Sequence, residues 1–162
     1  MEAIMPQILH RRLFLGAAGA AAGAALAGRA AWAAPAPSFV MWHNPGCGCC
    51  LEWGKRMEAA FQRKLPVIEA ADLAAIKKLR GVPADLQSCH TALIHNYVVE
   101  GHVPPRDIQR LIASKSRIIR GLAVAGMPAG SPGMDVGHSQ RQPFKVFAFA
   151  PNGRRSVFAS YG

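Results

Sequence analysis

The chain has 162 residues, 51% of them hydrophobic and 17% charged, which excludes a long disordered chain and fits one domain of ordinary size. Sixteen glycines and twelve prolines fall short of a collagen-like or low-complexity composition. Nineteen Lys and Arg against nine Asp and Glu give a formal charge of +10. They are scattered singly or in pairs, so the charge reads as a solvated basic face and not as a nucleic-acid-binding run. No apolar stretch reaches the ~20 residues of a membrane-spanning helix.

The N-terminus reads as an export signal. Arg11-Arg12 precedes an apolar run from Leu13 to Gly28 built almost wholly of Ala, Leu and Gly, and Ala31-Trp32-Ala33 supplies the small-x-small pattern of a cleavage site. Arg11-Arg12-Leu13-Phe14-Leu15 resembles the twin-arginine signal, whose pathway carries folded proteins. Residues 1–33 are therefore expected to be removed. The mature protein would be a single domain, 34–162, in the periplasm with no transmembrane anchor, where nucleic acid is not an expected partner.

The mature chain opens on the stiff leader Ala34-Pro35-Ala36-Pro37 and a buried strand, Ser38 to His43, stopped by the turn tripeptide Asn44-Pro45-Gly46. From Cys49 to Arg63 the apolar positions Cys50, Trp53, Met57, Ala60 and Phe61 recur at helical spacing. Pro66 to Ala70 is a second strand. Asp72 can cap a helix over Leu73–Leu79, which Gly81-Val82-Pro83 ends. Thr91–His95 and Tyr97–Glu100 are strands joined tightly at Asn96, and Pro104-Pro105 opens a helix from Arg106 to Ser114. The order β-α-β-α-β-β-α matches a thioredoxin core, so the expected class is α/β with a thioredoxin-like core. Gly121 to Pro143 shows no periodicity and reads as a long Gly/Pro/Met loop. Phe144–Ala150 and Arg154–Tyr161 read as a C-terminal β-hairpin closed through Asn152-Gly153.

All four cysteines lie after the signal, three of them in Cys47-Gly48-Cys49-Cys50 where loop becomes helix. Unpaired backbone N–H groups and the helix dipole favour thiolate there. Thiolate is both a nucleophile and a soft metal ligand. Adjacent Cα atoms lie ~3.8 Å apart, below the ~4.4 Å lower limit for an unstrained disulfide. That disfavours Cys49–Cys50, and Cys47–Cys49 would close a very small loop. The full pairing that survives is Cys47–Cys50 with Cys49–Cys89, if Cys89 is near.

Topology brings it near. In a thioredoxin-like core the segment before the third strand faces the C-x-x-C and carries a cis-proline; here it is Gln87-Ser88-Cys89-His90, a thiol and an imidazole where that proline is expected. This weakens a general disulfide-exchange reading and strengthens a metal one. Met127 and Met134 stand between turn residues, and thioether sulfur, like thiolate, suits Cu(I). His138 follows Met134. His90 is a ligand candidate beside Cys89. His43 is either a ligand or a structural cap, and His95 and His102 read as solvated or hydrogen-bonded. Met41 and Met57 sit in core patterns, and Trp42 and Trp53 are expected to pack around the cysteines and dry the site.

The motif set Cys47-Gly48-Cys49-Cys50 with Trp53, Cys89-His90-Thr91-Ala92, Tyr97 to Pro104, and Gly121 to Val124 through Gly126-Met127-Pro128 to Gly133-Met134 resembles the CopG family of periplasmic copper-resistance proteins. The resemblance implies a thioredoxin-like fold binding several copper ions through the C-x-C-C thiolates, Cys47, Cys49 and Cys50, and handling or interconverting Cu(I) and Cu(II). Cys89 would be the companion sulfur, as ligand or disulfide partner. Met127 and Met134 match the family's methionine loop. Successive helical side chains diverge by about 100°, so the three thiolates fan out and suit bridging of neighbouring soft ions. Other periplasmic copper-handling proteins are the expected partners. The alternatives are a thiol–disulfide oxidoreductase, with Cys47 attacking and Cys50 resolving, and a structural zinc site, which this crowded triple fits poorly.

Overall fold

The computed structural model of the protein describes residues 39–135 and 141–162. The expected signal, the leader and His138 lie outside the described residues. The described chain is a mixed α/β fold of seven strands and three α-helices: β1 (Phe39–His43), α1 (Gly48–Phe61), β2 (Val67–Glu69), α2 (Leu73–Arg80), a short 3-10 turn (Ala84–Leu86), β3 (His90–Ile94), β4 (Tyr97–Glu100), α3 (Pro105–Ser114), β5 (Gly121–Ala123), β6 (Phe144–Phe149) and β7 (Arg155–Tyr161).

One sheet holds all seven strands in the order β2-β1-β3-β4-β5-β6-β7. β1 pairs parallel with β2 and β4 parallel with β5; the other pairings are antiparallel. Alternation along the strands divides the core into two layers. Phe39, Met41, Ala92, Ile94, Val99 and Leu122 pack under α1 and α3 with Trp53, Met57, Ile108 and Leu111. Val40, Leu93, Val98, Ala123 and Phe149 line the opposite face with Val82 and Leu86. Met41 and Met57 are fully buried core residues, in line with their patterns.

Local signals set most boundaries. The Asp72 carboxylate accepts the Ala75 N–H at 2.9 Å, capping α2, and Gly81 ends that helix in the left-handed region. Pro105 occupies the first turn of α3, where its missing N–H costs nothing. Two expectations are corrected. The stretch from Gly121 is not loop throughout: Gly121–Ala123 forms β5, which joins the hairpin to the main sheet. Trp42 does not pack around the cysteines. It faces the α2 side of the sheet, where the Arg80 guanidinium lies 5.0 Å from its ring centroid. Among the described residues no helix is long and apolar enough to cross a membrane.

Candidate metal centre

β1 ends at His43, and the turn after it delivers Cys47 to the N-cap of α1, with Cys49 and Cys50 in the first helical turn. Cys47 and Cys50 form a disulfide with a Cα–Cα separation of 5.4 Å, the C-x-x-C pairing that local geometry favoured. Cys49 and Cys89 are free thiols, so the second half of that pairing is not formed. Cys49 Sγ stands 3.5 Å from Cys47 Sγ.

Cys89 enters from the lead-in to β3. Its sulfur and those of Cys47, Cys49 and Cys50 all lie within 4.8 Å of one another. Burial, with Cys49 beside it, pushes the Cys89 thiol up to about 12. The segment carries no cis peptide bond.

A second constellation shares that sulfur. Cys89 Sγ, His90 and His102 also bring their ligand atoms within 4.8 Å. His102 Nε2 is 3.0 Å from Cys89 Sγ, and His90 Nδ1 is 3.4 Å from it. His102 Nδ1 lies 2.8 Å from the Pro132 carbonyl oxygen, which can only accept. Nδ1 therefore carries the proton, and the Nε2 lone pair faces Cys89. Burial holds both imidazoles neutral: His90 is pushed well below the usual histidine range by desolvation and then by His102, and His102 is lowered by desolvation. His90 Nε2 is buried without a partner among the described residues. Its ring centroid lies 4.4 Å from that of Trp53, the two planes tilted by 44°, and the Trp53 indole N–H donates to the Val103 carbonyl at 2.9 Å. Trp53 thus walls the site as expected.

His102 is the residue that sequence reasoning passed over as a solvated or hydrogen-bonded histidine; it is fully buried and points at the site. The signal was the hairpin itself. Thr91 pairs with Glu100, so the same register continued two residues outward places position 89 opposite 102. His43 is buried and its Nδ1 lies 2.7 Å from the Asn44 carbonyl, the structural cap of its two readings. His95 sits in the turn at the opposite end of β3, exposed and with φ +52.

The methionine loop lies against the start of α1. Arg56 of α1 donates to Asp135 at 2.6 Å. Gly133 approaches so closely that a Cβ there would meet Cys49 O at 2.7 Å and Trp53 N at 2.9 Å. Met134 is half-buried, whereas Met127 is 53% exposed on the loop's outer side. Gly133 also has φ +89, which costs any other residue about 1–2 kcal/mol. Gly133→Ala is therefore expected to lift the loop from α1 and free Pro132 from His102. Amide hydrogen exchange should quicken at Ser131 and Met134 with β1 and β3 unchanged; unaltered loop exchange would show that the contact is slack.

The site and fold define a class: an α/β protein in which four cysteine sulfurs and two buried imidazoles gather at one end of a mixed sheet. Comparison with known proteins narrows this. Residues 86–134 match the family described as "Protein of unknown function, DUF411". Two solved structures are similar, "Copper resistance protein copG- Form 2" and "Copper resistance protein copG- Form 1", each at 38% identity. They cover 76% and 77% of this chain and 96% and 98% of their own, with TM-scores of 0.67 and 0.69. No curated protein matches the chain. The chain belongs to the CopG copper-resistance family.

Proposed function

We propose that the protein is a periplasmic copper-binding protein that holds Cu(I), as more than one ion, on Cys47, Cys49, Cys50 and Cys89. The observation that carries this is the meeting of four sulfurs within 4.8 Å, three of them from one loop-to-helix junction whose side chains fan out and suit bridging of soft ions. An external dithiol reductant must supply two electrons and two protons to open the Cys47–Cys50 disulfide, itself becoming a disulfide, before all four can bind, and each thiol then gives up its proton to the solvent as copper enters. His90 and His102 add imidazole nitrogens on the Cys89 side, a donor type that also accepts Cu(II), which supports a site serving both oxidation states. Met134 and Met127 are proposed as outer soft donors on the covering loop. The scaffold is read as a thioredoxin-like core, supported by the sheet order β2-β1-β3-β4 and by cysteines placed between β1 and α1. Residues 1–33 are read as a twin-arginine export signal preceding one domain, 34–162.

A second reading, thiol–disulfide exchange through Cys47 and Cys50, is favoured by the disulfide itself. Anaerobic Cu(I) titration of the reduced protein separates the two. We expect more than one tightly bound equivalent per chain, with Cys49→Ser removing the tight multi-ion binding. Absence of copper binding together with brisk reduction of insulin disulfides would sink the copper reading. One chelatable zinc per chain whose removal unfolds the protein would point to a structural metal.

A further inference from the structure

We propose that Glu100 is a positioning residue for the Cys89 thiol, acting through Ser88, with Lys77 holding the carboxylate in place. The consequence for metal rests on the copper reading above; the positioning itself does not. Glu100 ends β4 on the α2 face of the sheet, opposite the sulfurs, and is fully buried. Its carboxylate accepts from three donors: Lys77 Nζ at 2.5 Å and the Ser88 backbone N–H at 2.7 Å on one oxygen, and the Thr91 hydroxyl at 2.7 Å on the other. Lys77, only 5% exposed, also donates to Thr91 Oγ1 at 3.0 Å. Burial raises the Glu100 carboxyl above the ordinary range, and the Lys77 ammonium and the two other donors pull against it.

A buried ion pair of this kind is a poor stabiliser, because desolvation offsets most of its attraction and an apolar pair serves as well. Its position suggests the use. Ser88 precedes Cys89, and its hydroxyl donates to the Gly126 carbonyl at the start of the methionine loop. The Gly126 N–H returns a bond to Gln87 O at 3.4 Å. The loop then supplies Pro132, whose carbonyl orients His102 toward Cys89. One carboxylate thereby fixes the strand entry that carries the sulfur and, through Ser88, the loop that aims the facing imidazole. No neutral side chain presents acceptors to all three donors.

The test separates position from stability. Glu100→Leu combined with Lys77→Met replaces the pair by apolar groups of similar volume without leaving a buried charge, and should still fold, with some stability lost because the Ser88 N–H and Thr91 hydroxyl lose their acceptor. In the reduced, metal-free protein, iodoacetamide alkylation of Cys89, resolved by mass spectrometry, should become about tenfold faster, because a strand entry that opens locally more often exposes its thiol more often. Alkylation of Cys49, which is carried by α1 and not by the strand entry, should change less than that of Cys89. Glu100→Gln with Lys77→Met keeps an acceptor for Ser88 N–H and should return Cys89 to within about twofold of the native rate. The proposal is overturned if the Leu/Met variant alkylates at the native rate, if the Gln variant behaves like the Leu variant, or if the Leu/Met variant fails to fold, which would make the pair structural. Cu(I) titration of the same proteins adds the metal consequence: the equivalent lost in Cys89→Ser should bind about tenfold more weakly in the Leu/Met variant. If the native protein binds no copper, the function falls while the alkylation result still decides the positioning.

Discussion

Trp53→Ala is expected to destabilise the metal-free protein by about 3–5 kcal/mol, the range for emptying an aromatic site in a packed core. Trp53 is fully buried in the α1–α3 layer, and it touches both the core and the site. Truncation would leave the Val103 carbonyl without its donor, remove the ring against which His90 packs, and open the floor beneath Gly133. Trp53→Phe keeps most of the apolar volume and loses the indole N–H, so its cost should be smaller, about 1–3 kcal/mol for the buried carbonyl left unmatched. Urea unfolding monitored by circular dichroism measures both. A loss below about 1 kcal/mol for Trp53→Ala, the size of a routine surface change, would show that Trp53 does not hold the layer together.

The same residue shows why much of the site could be read before any coordinates. The helical spacing of Cys50, Trp53 and Met57 is a local property of fourteen residues, and the structure buries all three on one face of α1. The convergence of Cys89 on the cysteine triple needed only the order of the elements, because β1 and β3 pair and each carries its cysteine just beyond the same sheet end. What escaped depends on partners distant in sequence. Trp42 and His43 are neighbours with opposite fates, since strand alternation sends Trp42 to the α2 face and His43 to the α1 face. His102 belongs to the site through hairpin register and the Pro132 carbonyl thirty residues later, which composition does not reveal. The Lys77–Glu100 pair was equally silent: a lysine on a helix reads as solvated until the opposing strand supplies its carboxylate.

β5 was missed for a related reason. Three residues, Gly-Leu-Ala, are too few to show periodicity, and a glycine at the start of a run reads as a breaker. That glycine is there for space, which leads to the second large effect. A Cβ at Gly121 would lie 2.1 Å from the Val98 carbonyl oxygen and 2.7 Å from the Phe149 ring, wedging β5 away from β4 on one side and β6 on the other. Neither contact is the free end of a flexible chain. Gly121→Ala is expected to cost about 3 kcal/mol or more, at the top of the range for overpacking. That corresponds to a fall in Tm of roughly 10 °C for a domain of this size. Gly126→Ala is the control: Gly126 has φ +68 but open space around its Cα, so only the backbone penalty of about 1–2 kcal/mol applies. Displacing β5 should also reach the site, because Val124, directly after it, donates to the Glu100 carbonyl at 3.0 Å and begins the chain's path into the methionine loop. Calorimetry of the two alanine variants, paired with the Cys89 alkylation assay, gives the check. Equal Tm losses for both glycines would mean that β5 can shift freely, and that the C-terminal hairpin is only loosely joined to the strands that carry the sulfurs.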